Sequence, residues 1–151
     1  MIAVVQRVKE AYVRIDDEEY SRIGHGSLVL LGVEESDTGK DIEALSKKLV
    51  ELRMFADAER KMNLSLKDVG GEMLVVSQFT LPADCRKGRR PSFIRAALPE
   101  LGEKLYEDFV VAVRIQGVAT QTGKFAAMMD VGLINDGPVT FVLRTQDGRA
   151  V

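Results

Sequence analysis

Two hydroxyls and an amide stand close together in SQFTL, Ser77 to Leu81, where an apolar run that reads as a buried strand comes to its end. Sheets commonly present functional groups at such ends. Ser77 or Thr80 could attack a carbonyl only with an activating base within hydrogen-bond reach. Asp84 and Lys87 are the nearest ionisable residues, and His25 is the sole imidazole. A Ser-His-Asp arrangement would therefore depend wholly on His25, and covalent catalysis is disfavoured. The competing reading is that these hydroxyls simply satisfy nearby backbone, as Ser and Thr often do at strand ends.

Two further stretches could carry chemistry. RKGRRPSFIR holds Arg86, Lys87, Arg89, Arg90 and Arg95 without an acidic residue. Such a cluster suits a phosphate backbone, because bound cations release condensed counterions, and it equally suits a solvated loop. NDGPVT, Asn135 to Thr140, is rich in turn formers. A Gly before a Pro allows more, since X-Pro is the peptide bond with ready access to cis and Gly lets other atoms come close to the main chain. The segment is either a turn between two strands or a rigid piece of backbone that touches substrate.

Composition excludes several function classes. The net charge of -2 gives no global attraction to nucleic acid, so binding to a polyanion needs local clustering. Cys85 is alone, which rules out an intrachain disulfide, suits a reducing cytoplasmic compartment and, with one His, disfavours a structural zinc site. Neither a signal peptide nor an apolar span of membrane length is visible, and the chain reads as soluble. No Walker A loop, GxGxxG or HExxH occurs. GKDIEA lacks the upstream glycine and the Ser/Thr after Lys40, and reads as a helix start. Met128 and Met129 suit core or pocket lining, and His25, between two glycines, a loop.

The elements that must position these residues follow from periodicity. IAVVQRVKEAYVRI reads as two strands or one bent strand, and SLVLLGV as a buried central strand. Ile42, Leu45, Leu49 and Leu52 recur at helical spacing behind Asp37 or Thr38 as the cap. EMLVVSQFTL reads as an interior strand closed off by Pro82. Pro99 suits the first turn of a second helix with the stripe Leu101, Leu105, Phe109, Val113. From Phe125 to Leu143 the pattern alternates, crosses NDGP and returns as VTFVL. Strands at both ends with two main helices between them indicate a single α+β domain over residues 1–151, with a curled, mainly antiparallel, barrel-like sheet covered by the helices.

SQFTL, KGRRPSF (Lys87 to Phe93), NDGPVT, QRV (Gln6 to Val8) and KMNLSL (Lys61 to Leu66), in this order along essentially the whole chain apart from QRV and KMNLSL preceding them, resemble the D-aminoacyl-tRNA deacylases. SQFTL and NDGPVT match the D-specific branch rather than the related animal-type enzymes acting on L-alanyl-tRNAs. Ala126 departs from the pattern, where the resemblance leads one to expect glycine and the extra methyl narrows the site slightly.

The resemblance implies a cis Gly137-Pro138 bond whose carbonyls face one way, inserted by one subunit of a homodimer into the other's pocket. An L-aminoacyl group would drive its side chain into those carbonyls, D side chains would point to solvent, and glycyl-tRNA would partly evade the filter. It further implies catalysis assisted by the substrate's 2′-hydroxyl, with main-chain amides near Phe79 and Thr80 holding the oxyanion. Ser77, Gln78 and Phe79 would shape the adenosine and ester pocket, Phe125 and Met129 its apolar walls. Arg7 would latch the Gly-Pro segment, while Arg86, Lys87, Arg89 and Arg90 meet the acceptor stem. No metal or cofactor is implied. The alternatives are an RNA-binding module without turnover and an esterase with Thr80 as nucleophile.

Overall fold

The computed structural model describes residues 1–151. Ile2–Ile15 forms one unbroken strand, β1, and so the bent-strand reading of the opening segment holds. Register shifts opposite Gln6 to Glu10 supply its irregularity. Glu18–Ile23 (β2) and Gly26–Gly32 (β3) both pair with β1, antiparallel. Thr38 rather than Asp37 caps the first helix, α1 (Gly39–Glu51). Its backbone N–H donates to Asp41 Oδ2 at 3.0 Å while its Oγ1 accepts from the Lys40 amide at 3.3 Å, so donors left free at the helix start are satisfied. A small ribbon of β4 (Phe55–Ala56) and β5 (Met62–Leu64) leads to β6, Glu72–Ser77. β6 stops five residues before Pro82.

The second helix, α2 (Pro99–Ile115), begins at Pro99, as its missing N–H and fixed φ favour. Leu105, Phe109 and Val113 are buried, whereas Leu101 stays 37% exposed. β7 (Thr120–Thr122), β8 (Asp130–Gln146) and β9 (Arg149–Ala150) complete the chain.

The strand order β7-β6-β3-β1-β8-β9, with β2 also on β1, is mixed. β6 runs parallel to both β3 and β7. Parallel neighbours need long crossovers, and α1 and α2 lie on those two connections. The sheet curls far enough for β2 to meet its β7 end, where Ser21 Oγ donates to the Thr122 carbonyl at 2.8 Å. Its outer face packs on the helices through Val5, Val29 and Val75 against Leu45, Leu49 and Phe109. The inner face closes over Val8, Ala11, Val13, Leu28 and Val76. Each Val, Leu or Phe among them contributes roughly 1.5–3 kcal/mol when fully buried, and these two layers fix the sheet that carries the polar residues.

The NDGP segment departs from the turn reading. β8 passes straight through it, and both flanks pair with the same partner, from Ile2 opposite Arg144 to Arg14 opposite Asp130. The chain does not reverse there. Phe125 precedes the strand rather than opening it.

Candidate active site

β6 ends because the chain turns sharply after Ser77. The Gln78 N–H still donates to the Leu31 carbonyl at 2.8 Å, and then Leu81 N–H bonds back to Gln78 O at 3.2 Å. Gly32 lies directly under this turn, since a Cβ there would stand 2.8 Å from Leu81 Cβ and 3.2 Å from Gln78 O. The N–H groups of Phe79 and Thr80 donate to no group of the chain. Gln78 Nε2 donates to Thr80 Oγ1 at 2.6 Å. Phe79 is 65% exposed and leans on Phe93, ring centroids 5.3 Å apart. His25 sits at the other end of β3, edge-on to Phe55. Five strand positions, about 17 Å, separate Gly26 from Leu31, the residue beside Ser77. No imidazole is within reach of either hydroxyl.

The loop between β7 and β8 lies against the same strand. The Gly123 N–H donates to the Val75 carbonyl at 2.9 Å, and Tyr106 Oη donates to that carbonyl at 2.8 Å. Burial pushes the Tyr106 phenol well above its ordinary range. Phe125 rests on the Tyr106 ring at 5.9 Å. Met129 packs on the inner core beside Val76, and its Sδ accepts the Lys124 N–H at 3.3 Å. The structure thus brings Phe125 and Met129 to β6, one through each face of the sheet. Ala126 adopts φ +59° and is exposed, so its methyl carries left-handed backbone strain.

The Gly137-Pro138 bond is cis, and both residues are exposed. Arg7, its side chain only 13% exposed, holds the segment. Its Nε donates to Asp136 O at 2.8 Å and lies 3.2 Å from Asp136 Oδ2, while Nη1 donates to Met54 O at 2.6 Å. Asn135 holds it from the other side. Its Nδ2 donates to the carbonyls of Arg7 and Val139, both at 2.9 Å, and its Oδ1 accepts the Val139 N–H at 3.1 Å. Sequence reasoning missed Asn135 as a brace, because its side chain looked like ordinary turn chemistry.

Within one chain this segment and the Ser77–Thr80 turn lie apart. Arg7 pairs with Ser27 and Ser77 with Leu31, about 13 Å further along β3, and three strand spacings, about 14 Å, separate β8 from β6.

The basic segment is a loop closed by Asp84 and Ser92, whose backbones exchange hydrogen bonds of 2.8 and 2.9 Å. Arg86 is neutralised within it by Asp84, Nη2 to Oδ2 2.5 Å, and the guanidinium's hydrogen bonds hold that carboxyl far below its ordinary range. Lys87, Arg89 and Arg90 are exposed and carry no ion pair. Arg95 leaves the cluster to bind Glu34.

Fold and site define a class: a small α+β protein in which a polar strand-end turn with free backbone donors shares one end of a curled mixed sheet with an exposed basic loop. The D-Tyr-tRNA(Tyr) deacylase family model matches residues 4–144. The chain belongs to that family. It is 61% identical over 146 residues to a D-aminoacyl-tRNA deacylase of Desulfatibacillum aliphaticivorans, covering 97% of this chain and 100% of the relative. A relative of the same name from Thermodesulfovibrio yellowstonii is 53% identical over 146 residues, with the same coverage. Among solved structures, a c-Myc DNA Unwinding Element Binding Protein superposes with a TM-score of 0.93 at 41% identity, covering 97% of this chain and 99% of its own. A probable eukaryotic D-amino acid tRNA deacylase shares the fold, with a TM-score of 0.79 at 19% identity over 93% of this chain and 97% of its own. No helix is long and apolar enough to cross a membrane.

Proposed function

We propose that the protein hydrolyses the ester joining a D-amino acid to the 3′ end of tRNA, releasing both, and spares L-aminoacyl esters. The observation that carries this reading is the pair of unused N–H donors at Phe79 and Thr80, on a turn anchored to Gly32 and Leu31. An ester carbonyl set against them would have its developing oxyanion met by fixed dipoles. An aminoacyl ester is already activated. It needs a positioned water, assisted by the substrate's own 2′-hydroxyl, more than a protein nucleophile. The one side-chain partner of Thr80 Oγ1 is the Gln78 amide, a donor that cannot take the hydroxyl proton, and the absence of a base beside it argues against the nucleophile reading. Ser77, Gln78 and Phe79 line the adenosine and ester pocket, with Phe125 and Met129 as its walls.

Selection is by exclusion. The carbonyls of the Gly137-Pro138 segment hold the ammonium and the α-carbon side, a D side chain leaves toward solvent, and an L side chain meets the carbonyls. Glycine, with no side chain, passes in part. The separation of this segment from the turn within one chain supports a homodimer in which each copy completes the other's site. Beyond β1, β8 is paired only with β9 at Thr145 and Gln146, and its exposed Ile134 and Val142 support the same arrangement. Arg86, Lys87, Arg89 and Arg90 meet the acceptor stem, residues 1–151 act as one domain, and the compartment is the cytoplasm, where tRNA is charged.

D-tyrosyl-tRNA, L-tyrosyl-tRNA and a simple aryl ester assayed side by side test the proposal. Rapid loss of the first, with the second spared and the third barely touched, is expected. Hydrolysis of both tRNA hands at one rate would refute the selection. The name of the 41% identical structure supports a second reading, binding to DNA, which a duplex-DNA gel shift separates.

A further inference from the structure

We propose that the exposed Phe79–Phe93 pair is a stacking platform for the nucleobase next to the terminal adenosine of the substrate, with Phe93 as a substrate-binding residue. This rests on the deacylase reading above. Phe79 stands on the turn with the free N–H donors and is 65% exposed. Phe93 is 37% exposed, and the two ring planes meet at 53° rather than lying parallel, so neither ring hides the other's face. Two phenyl rings left in water beside a candidate site forgo the burial that aromatic side chains ordinarily gain, which a flat ligand face would restore.

Phe93 is also held in place. It follows Ser92, whose backbone exchanges hydrogen bonds with Asp84, and its own carbonyl accepts the Ala96 N–H at 2.9 Å. Two residues on, the Arg95 carbonyl accepts the Glu35 N–H at 3.0 Å, and the Ala97 N–H donates to Val33 O at 3.0 Å. The same stretch, Leu31 to Glu35, carries the Ser77–Thr80 turn, through the Gln78 N–H on Leu31 O and through Gly32 beneath Leu81. Turn and ring share one support, which fixes Phe93 relative to the Phe79 and Thr80 donors.

The occupant follows from position and charge. Phe93 lies at the root of the basic loop and touches the turn through Phe79. From Asp84 to Arg95 the one carboxylate, Asp84, is taken by Arg86, and Arg95 goes to Glu34, which leaves Lys87, Arg89 and Arg90 without a partner. Open aromatic faces with unpaired cations beside them suit single-stranded nucleic acid, whose bases stack on the rings while its phosphates meet the charges. The terminal adenosine of tRNA is preceded by unpaired cytidines, which must cross from the turn to the loop if the loop meets the acceptor stem. The base beside the adenosine is the one that reaches Phe93. Stacking reads no base edge, so the platform tolerates any base there.

The test compares uncharged RNA hairpins with an unpaired 3′ tail, intact or with an abasic ribose at the position next to the terminal adenosine, by fluorescence anisotropy. Wild type should bind the intact tail about tenfold more tightly, the scale of one stacked base, and a uracil or guanine there should serve nearly as well as cytosine. Phe93→Leu, which keeps apolar bulk but has no aromatic face, should erase the preference, and Phe93→Tyr should keep it. With esters, Phe93→Leu should lower the ratio of kcat/KM on D-tyrosyl-tRNA to that on D-tyrosyl-adenosine, which lacks the second base, about tenfold, the loss lying in KM. A wild type indifferent to the abasic position would overturn the proposal, as would an unchanged ratio, which would make Phe93 a prop for the turn. Conversion of a dimer to a monomer by Phe93→Leu in analytical ultracentrifugation would overturn it too, by giving the rings to a second copy. A wild-type protein inactive on both esters would refute the deacylase reading, and the anisotropy comparison would still decide the platform.

Discussion

Removing Arg7 tests whether a braced backbone segment selects the substrate. Its guanidinium makes charge-assisted bonds to the carbonyls of Asp136 and Met54, at 2.8 and 2.6 Å, and faces the Asp136 carboxylate at 3.2 Å. Bonds of this kind contribute about 1.5–3 kcal/mol each, and a deletion leaves their acceptors unpaired. The Asp136 side chain is 33% exposed and recovers water, whereas Met54 is 1% exposed and its carbonyl is left unpaired. Arg7→Ala should therefore cost about 3 kcal/mol, read as a lower urea midpoint at unchanged m-value. For a chain of this length that is roughly a 6–12 °C lower Tm. A loosened Gly137-Pro138 segment should also lower kcat/KM on D-tyrosyl-tRNA about 100-fold, the scale of a 1 Å misplacement. Arg7→Lys places one compact charge where two directions are needed, and should recover only part of either loss. Destabilisation by Arg7→Ala with deacylation by the folded fraction intact would refute the reasoning, because the brace would then serve folding alone.

Three further outcomes are expected. Thr80→Ala should keep substantial deacylation if, as proposed, the oxyanion donors are backbone; a folded variant with no turnover would restore the hydroxyl as nucleophile. Gly137→Ala would put a methyl 2.0 Å from Val139 N, so both stability and turnover should fall, the first by about 1–3 kcal/mol; a thermal melt matching wild type would show that the backbone there yields freely. Ala126→Gly removes a side chain from φ +59°, relieving about 1 kcal/mol of left-handed strain, and should raise the urea midpoint; a lower midpoint would mean that the greater freedom of the unfolded glycine chain outweighs it.

Local signals made the helices legible. Thr38 with Asp41, Pro99 and the buried stripe Leu105, Phe109, Val113 act over one to four residues, and the structure places both helices there. The same holds for β3, whose run of apolar residues is buried on both faces. Legibility fails where pairing decides. NDGP has the composition of a reversal, yet Ile134 and Thr140 both find partners on β1, at Glu10 and Gln6, and the strand carries on. The parallel neighbours of β6 are equally invisible in a window of ten residues, because crossovers set them. Among the site residues, SQFTL and the basic loop announce themselves by composition. The brace does not, since Arg7 reaches Asp136 across 129 residues of sequence and Asn135 reaches Arg7 across 128.

The distribution of hydrogen bonds also separates two tasks that a tRNA hydrolase must combine. Exclusion of one hand works only if the excluding atoms refuse to move by about the width of a methyl group. The Gly137-Pro138 segment meets that demand, with Arg7 and Asn135 bonding to its flanks from both sides and β1 alongside. Binding a long, flexible polyanion makes the opposite demand. The loop from Cys85 to Pro91 is closed by a single backbone pair, Asp84 with Ser92, and three of its cations are unpaired. Charge attraction falls off gradually with distance and tolerates such play, whereas steric repulsion rises within tenths of an ångström. On the proposed reading, stiff backbone at Gly137-Pro138 and loose side chains at Lys87, Arg89 and Arg90 would let one small protein hold an RNA end while refusing one configuration at a single carbon.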